Sequence, residues 1–334
     1  SRRLQEEDRE REEEGRETVL YRYKGTVPIP SLGLMDDSAM ITEVGYKSEI
    51  VNISMNESSA EKNLQFNEKK CKFLKMGKKK EVILNQTLEV DTWKKSYDNE
   101  DNLIEKEGGK KPMIEVKELK YLGFVVASSA SNVPNILDRK NKLISTPNNI
   151  MNMTKGLGTH TLESGLIYFN SLLRASLLYA CETYVNLSER EYMLIESTED
   201  NCLIKLLDSG RNCPRSILYL EVGEIPARFQ IKRLMLNYLH YILQEDKNSL
   251  LSKFFHAQWA NPITNDWVSN IQKVKTEINL NYSFEEIQVM KKTKYTRIVE
   301  SKIRIAAFDY LKAKIKSKGK EINYGDNLKC QNYL

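Results

Sequence analysis

Asp36 and Asp37 are adjacent carboxylates set in the stretch Ser31-Leu32-Gly33-Leu34-Met35-Asp36-Asp37-Ser38-Ala39-Met40-Ile41. Ionised carboxylates held side by side repel each other, and a hard divalent cation relieves that repulsion. Paired aspartates on divalent ions are the arrangement that in-line phosphoryl transfer uses. Acidic residues also serve plain turn geometry, so the pair alone leaves both readings open. The five cysteines and three histidines are scattered, with no Cys-x-x-Cys spacing. Neither a disulfide framework nor a zinc site is expected, and a reducing intracellular compartment, cytoplasm or nucleus, fits.

The elements around the carboxylates read as α+β. Apolar or small residues precede Asp36 and the pattern resumes at Ala39, which predicts a strand, a turn and a second strand. Residues 21–30 alternate like a strand that Pro28 and Pro30 confine to an edge. Residues 47–66 predict an amphipathic helix with Ile50, Ile53, Leu64 and Phe66 inward. Asn67-Glu68-Lys69-Lys70-Cys71-Lys72-Phe73 reads as a turn into a lysine-rich strand. Residues 81–92 alternate weakly, as a strand pair does, and residues 94–112 read as a polar, mobile loop. Residues 118–126 form an apolar strand with Gly123 near its middle, where a bulge or a close backbone approach is possible.

From residue 131 the pattern is helical throughout. A first region runs from Asn132 to Met153, interrupted around Pro147. Leu162, Leu166, Phe169, Leu173 and Leu177 form an apolar stripe. Ser188-Glu189-Arg190-Glu191 is a capping box, opening a helix that buries Leu194, Ile195, Cys202, Leu203 and Leu206. Pro214 and Pro226 each suit the first turn of a helix. The second of these helices carries Ile231, Leu234, Met235, Tyr238, Leu239 and Ile242, with His240 among them as a packed imidazole. Trp259 and Trp267 would anchor a small helical module. Residues 291–317 predict a basic amphipathic helix with Ile298, Ile305, Phe308 and Leu311 on one face, suited to nucleic acid, an acidic membrane surface or plain solvent.

At 334 residues, with 40% apolar and 29% charged residues, the chain can bury a sizeable core across two or three domains. No apolar run approaches the roughly 20 residues that span a bilayer, so no membrane partner is expected. The net charge of +5 hides an asymmetry. Residues 1–20 hold eight acids and five arginines, a solvated low-complexity arm. Residues 66–80 hold seven lysines against one acid, and residues 291–320 hold eleven Lys or Arg against two acids. Clustered basic charge favours a polyanion, with nucleic acid the commonest, and a plain solvated surface fits either cluster taken singly about as well. The expected division is an arm over 1–20, an α+β part over 21–128, helices over 129–245 and a basic helical module over 246–334.

Taken in order, an Asp-Asp hairpin, a helix, an Asn-x-x-Lys turn, a variable loop, a Tyr-Leu-Gly strand and an all-helical region resemble the reverse transcriptase of a non-LTR retrotransposon, from late palm through thumb. Leu34-Met35-Asp36-Asp37 resembles the catalytic hairpin, Asn67 and Lys70 the next motif, and Lys120-Tyr121-Leu122-Gly123 the primer grip. Residues 218–226 followed by Arg233-Leu234 are similar to a segment after the thumb. The resemblance implies RNA-directed DNA synthesis on an RNA template and DNA primer, with no small-molecule cofactor beyond the nucleotide. It implies Mg²⁺, or Mn²⁺ in its place, on Asp36 and Asp37 as the catalytic carboxylates. Nucleic-acid contacts would come from Lys69, Lys70, Lys72, Lys120, Tyr121, Leu122 and Gly123. The family's palm uses a further Asp on an earlier strand, for which the residues before Asp36 leave no room, so a truncated palm that is inactive alone is expected. The alternatives are a non-enzymatic nucleic-acid-binding helical module and a helical protein-interaction piece whose lysines only confer solubility.

Overall fold

The computed structural model describes residues 22–23, 27–28, 32–34, 37–41, 46–61, 66–67, 69–76, 88–97, 103–210, 212–263 and 266–318. These residues are mixed α and β, with helices predominating. The chain divides into two compact units, residues 1–134 and 135–334. The arm over 1–20 lies outside the described residues.

Among the described residues all the strands belong to the first unit and pair two by two. β1 (Arg22–Tyr23) and β2 (Val27–Pro28) pair antiparallel, so the single edge strand expected over 21–30 is folded back on itself. β3 (Leu32–Leu34) and β4 (Asp37–Ala39) form the expected hairpin, with Leu34 opposite Asp37. Helix α1 (Tyr46–Glu61) follows. It is shorter than expected: Phe66 is not helical, and Leu64 lies outside the described residues. Its inward face also differs, since Val51, Ser54 and Asn56 are buried while Ile53 is 54% exposed. Two asparagines one turn apart tie the helix to the strand that follows: Asn52 and Asn56 both donate through Nδ2 to the Glu89 carbonyl, at 2.8 and 3.0 Å.

Glu89 opens the longest pairing in the unit. β6 (Glu89–Tyr97) and β7 (Leu103–Pro112) make an antiparallel ribbon, irregular only between Ser96 and Tyr97. The expected mobile loop over 94–112 is therefore corrected to strand. Thr92, Trp93 and Tyr97 favour strand, Lys94 stands opposite Glu107, and Trp93 stands opposite Gly108. β5 (Lys72–Phe73) pairs in parallel with β8 (Ile114–Glu115). β9 (Glu118–Tyr121) and β10 (Phe124–Ala127) form a hairpin closed by Tyr121 opposite Phe124. The continuous strand expected over 118–126 reverses at Leu122 and Gly123, whose φ values are +47° and +79°. Two consecutive left-handed residues make the primed turn that matches strand twist, and glycine adopts that region freely.

The second unit is helical. α2 (Val133–Leu143) and α3 (Thr146–Gly156) break at Ile144 and Ser145, and Pro147 sits inside the first turn of α3. α4 (Leu162–Tyr168) passes into a π-helical turn (Phe169–Arg174) and closes at Ala175–Leu177. Phe169, Leu173 and Leu177 are buried as the stripe predicts, whereas Leu162 is 61% exposed. Gly165 is the residue that seats α4, since a Cβ there would lie 2.8 Å from the Leu206 carbonyl. α5 (Glu189–Leu206) opens on the expected capping box, Ser188 with Glu191. Pro214 and Pro226 are the N-caps of α6 (Arg215–Glu221) and α7 (Ala227–Gln244), one residue ahead of the first turn.

Helix α7 is the central one, packed against α5, the 3₁₀ turn Cys181–Thr183, and the later helices. These are α8 (Leu250–Ala260), α9 (Trp267–Glu277), α10 (Phe284–Val289) and α11 (Lys292–Lys318). Ala227, Ile231, Met235, Leu236 and Leu239 are its fully buried apolar residues. His240 is buried as expected, its Nε2 2.9 Å from the Met290 carbonyl and its ring stacked on Tyr295. Trp259 packs edge-on against Phe284, and Trp267 donates to the Glu182 carbonyl at 2.8 Å. Helix α11 buries Tyr295, Val299, Ile303, Ala307 and Leu311, while Ile305 is 53% exposed. Of the expected apolar face Leu311 is buried and Ile298 and Phe308 are half-buried, so the buried seam is only partly in phase with it. A seam repeating every fourth residue, rather than every 3.6, winds slowly around the helix. No helix among the described residues is long and apolar enough to cross a membrane.

Candidate functional site

Asp37 opens β4 and is registered against Leu34. Asp36 and the side chain of Asp37 lie outside the described residues. Their donor chemistry suits Mg²⁺, which is held by one or two carboxylates together with substrate phosphates and water. Among the described residues no group of three or more His, Cys, Asp or Glu could hold a metal ion.

The basic candidates occupy two neighbouring elements. Asn67 makes a turn in which its carbonyl accepts from Lys70 N–H at 2.9 Å and Cys71 N–H at 3.0 Å, and its Oδ1 accepts from Lys69 N–H at 3.2 Å. The short polar side chain thus mimics a backbone turn and delivers the chain into β5. Lys69, Lys70 and Lys72 are all exposed. Cys71 stands between them, and burial pushes its thiol up, away from a reactive thiolate. Lys72 is paired with Ile114, and the Phe73 carbonyl accepts from Val116 N–H at 3.0 Å. Lys75 closes the edge on Glu115 at 2.9 Å. Two residues beyond Val116 the Lys120-Tyr121-Leu122-Gly123 hairpin begins. Lys120 is exposed, Tyr121 half-buried and Leu122 39% exposed at the turn. The structure therefore joins the Asn67 turn to the strand that leads into the Tyr-Leu-Gly hairpin.

The second unit holds a buried ionic network that the sequence reading missed. The π-helical turn presents Arg174, whose Nε donates to Glu199 Oε1 at 2.8 Å. Its Nη1 donates to Glu224 and to Asn170 Oδ1, and its Nη2 to the Ile225 carbonyl at 3.0 Å. Glu199 Oε2 accepts from the Tyr219 hydroxyl at 2.7 Å and from Ala227 N–H at 2.6 Å. Burial pushes the Glu199 carboxyl up, against the pull of Arg174, Tyr219 and Ala227. Burial would also depress Arg174, but Glu199 and Glu224 outweigh it and hold the guanidinium charged. Each guanidinium nitrogen of Arg174 donates to an acceptor, so the network fixes helices rather than presenting a reactive group. The available signal was Glu199 itself, a charge in register with Ile195 and Cys202 on the apolar stripe of α5.

On the same unit, α11 turns a basic face outward: Lys294, Arg297, Arg304, Lys312 and Lys316 are exposed, at helical spacings of three, four, seven or eight. Compared with family models, curated proteins and solved structures, the chain matches none.

Proposed function

We propose that the chain carries the late palm, thumb and following helical region of a reverse transcriptase resembling those of non-LTR retrotransposons. The observation that supports this reading is the order of elements. A hairpin with Asp37 opposite Leu34 is followed by a helix, an Asn67 turn into a basic strand, a tight Leu122-Gly123 hairpin, and then helices only. In this reading Asp36 and Asp37 hold Mg²⁺, which supplies charge stabilisation to the transferring phosphoryl group when bound. Lys69, Lys70 and Lys72 face phosphates, and the turn at Tyr121, Leu122 and Gly123 lets the primer backbone approach closely. The RNA template and DNA primer are held by charge and shape. Polymerisation by these 334 residues alone is not expected, because the resemblance assigns a third carboxylate to an earlier strand.

The test is calorimetric titration of Mn²⁺ into the full chain and its Asp36→Asn variant, with primer extension alongside. Mn²⁺ binding that disappears in Asp36→Asn supports the reading. Its absence in the parent protein counts against it, and Asp36-dependent nucleotide incorporation would overturn the incomplete site.

The outward basic face of α11 favours a second reading, a non-enzymatic nucleic-acid-binding module. Salt-dependent RNA binding without any Asp36-dependent metal binding would select it.

A further inference from the structure

A shallow, open cleft in the helical unit lies where the end of α6, the first half of α7 and the middle of α11 meet, with a volume of about 60 Å³. Gln230, Arg233, Glu300 and Arg304 line it, below the turn at Gly223 and Glu224. Its donors are not consumed internally. Gln230 is only 6% exposed, and its side-chain amide has no hydrogen-bond partner among the described residues. Arg233 Nε is buried and equally without a partner. Glu300 lies 3.9 Å from Arg233 Nη1 and 3.6 Å from Arg304 Nη2, both beyond hydrogen-bond range, so it orients two guanidiniums without occupying their N–H groups. The other acid in the wall, Glu224, is already engaged by Arg174 and Asn170.

The turn leaves room for a ligand. Gly223 has φ +69° and closes α6 with Glu224 N–H on the Tyr219 carbonyl and Gly223 N–H on the Leu220 carbonyl. A Cβ at Gly223 would meet nothing within 4 Å. Two guanidinium forks and an amide, converging with unused donors, suit a tetrahedral oxyanion better than a cation or an apolar group. Arg304 also belongs to the exposed face that carries Lys294, Arg297, Lys312 and Lys316. At 1.5 Å per residue that face runs about 33 Å, close to one duplex turn, which marks the oxyanion as one of a series rather than a free ion.

We infer that this cleft seats a backbone phosphate of a bound nucleic acid, with Arg233, Arg304 and Gln230 as its donors. The inference rests on the nucleic-acid reading above and deepens it by naming the anchoring site.

The experiment uses the full chain, Arg304→Gln, and Arg233→Gln combined with Arg304→Gln. One arm follows thermal stabilisation by inorganic phosphate at constant ionic strength. The other follows anisotropy of an RNA–DNA hybrid of about one turn, between about 50 and 200 mM salt. The double variant is expected to lose the phosphate stabilisation, bind the hybrid about tenfold more weakly, and show a salt slope smaller by about 1. Should the double variant fail to fold, the exposed Arg304→Gln change alone is expected to weaken hybrid binding by about threefold. Hybrid binding indifferent to these arginines overturns the cleft and leaves the nucleic-acid reading standing. Arginine-dependent phosphate stabilisation without hybrid binding keeps the oxyanion site and overturns the nucleic-acid reading and its backbone source together. Phosphate without effect on the parent protein overturns the cleft as well.

Discussion

Arg174 Nε and Glu199 Oε1 meet at 2.8 Å with their side chains 7% and 0% exposed, twenty-five residues apart in the chain. A buried pair of this kind contributes little over an apolar replacement, yet removing one partner strands an uncompensated charge. Arg174→Met or Glu199→Leu alone is expected to destabilise the chain by about 3–5 kcal/mol in urea denaturation. The double replacement is expected to recover most of that loss, because both buried charges leave together. A double variant as unstable as the sum of the singles would show that the network is more than a paired charge.

Two glycines in the helical unit should respond in opposite directions. Gly165→Ala forces a Cβ to within 2.8 Å of the Leu206 carbonyl, which is backbone and cannot yield cheaply. A loss of about 1–3 kcal/mol is expected from the overpacking. At Gly156, the last residue of α3, an added Cβ meets nothing within 4 Å. Gly156→Ala is expected to stabilise by about 0.4–1 kcal/mol through the unfolded chain. Thermal denaturation of the two variants side by side checks both signs.

Asp200 gives the helical unit a pH dependence of defined sign. Burial pushes its carboxyl up to about 6, against the opposing pull of Tyr219 and Arg215. The folded state therefore holds this proton more tightly than the unfolded state does. Its stabilising contribution is complete below the unfolded carboxylate range, near 3.9, and is lost as pH rises through about 6. Asp200→Asn is expected to remove that dependence and to be more stable than the parent above pH 6, by about 1–3 kcal/mol. Urea denaturation at about pH 4.5 and 7.5 tests this. A variant less stable than the parent at the higher pH contradicts it.

The Leu122-Gly123 turn carries strain at the leucine. Leu122 has φ +47°, a region that costs an L-residue roughly 1–2 kcal/mol and that asparagine tolerates better. Leu122→Asn is expected to raise amide-exchange protection across Glu118–Tyr121 and Phe124–Ala127. Gly123→Ala, at φ +79°, is expected to lower it by about 1 kcal/mol. No change in either variant would mean that the turn is not the determinant of this hairpin.

The parts legible in the sequence were those with local causes. The Ser188–Glu191 capping box needs only four residues, and the Leu34–Asp37 hairpin only a change from apolar to acidic and back. The phase of α11 was only partly legible, because its buried residues recur every fourth position and drift away from the face that a 3.6-residue period selects. The β6–β7 ribbon was hidden by its lysines and glutamates, which read as loop until the register sets Lys94 against Glu107. Arg174 was hidden for a similar reason. Its partners Glu199 and Glu224 are 25 and 50 residues away, so nothing in its neighbourhood announces them.

The parallel ladder between Lys72–Phe73 and Ile114–Glu115 pins the two ends of the intervening chain beside each other. Whatever is spliced into the far end of the ribbon between them leaves the Asn67 turn and the Tyr-Leu-Gly hairpin in place. Each doubling of such an excursion costs only about 0.6 kcal/mol in closure entropy. Evolution can therefore treat this stretch as an accordion, and divergence in length among descendants of the same ancestor should collect there.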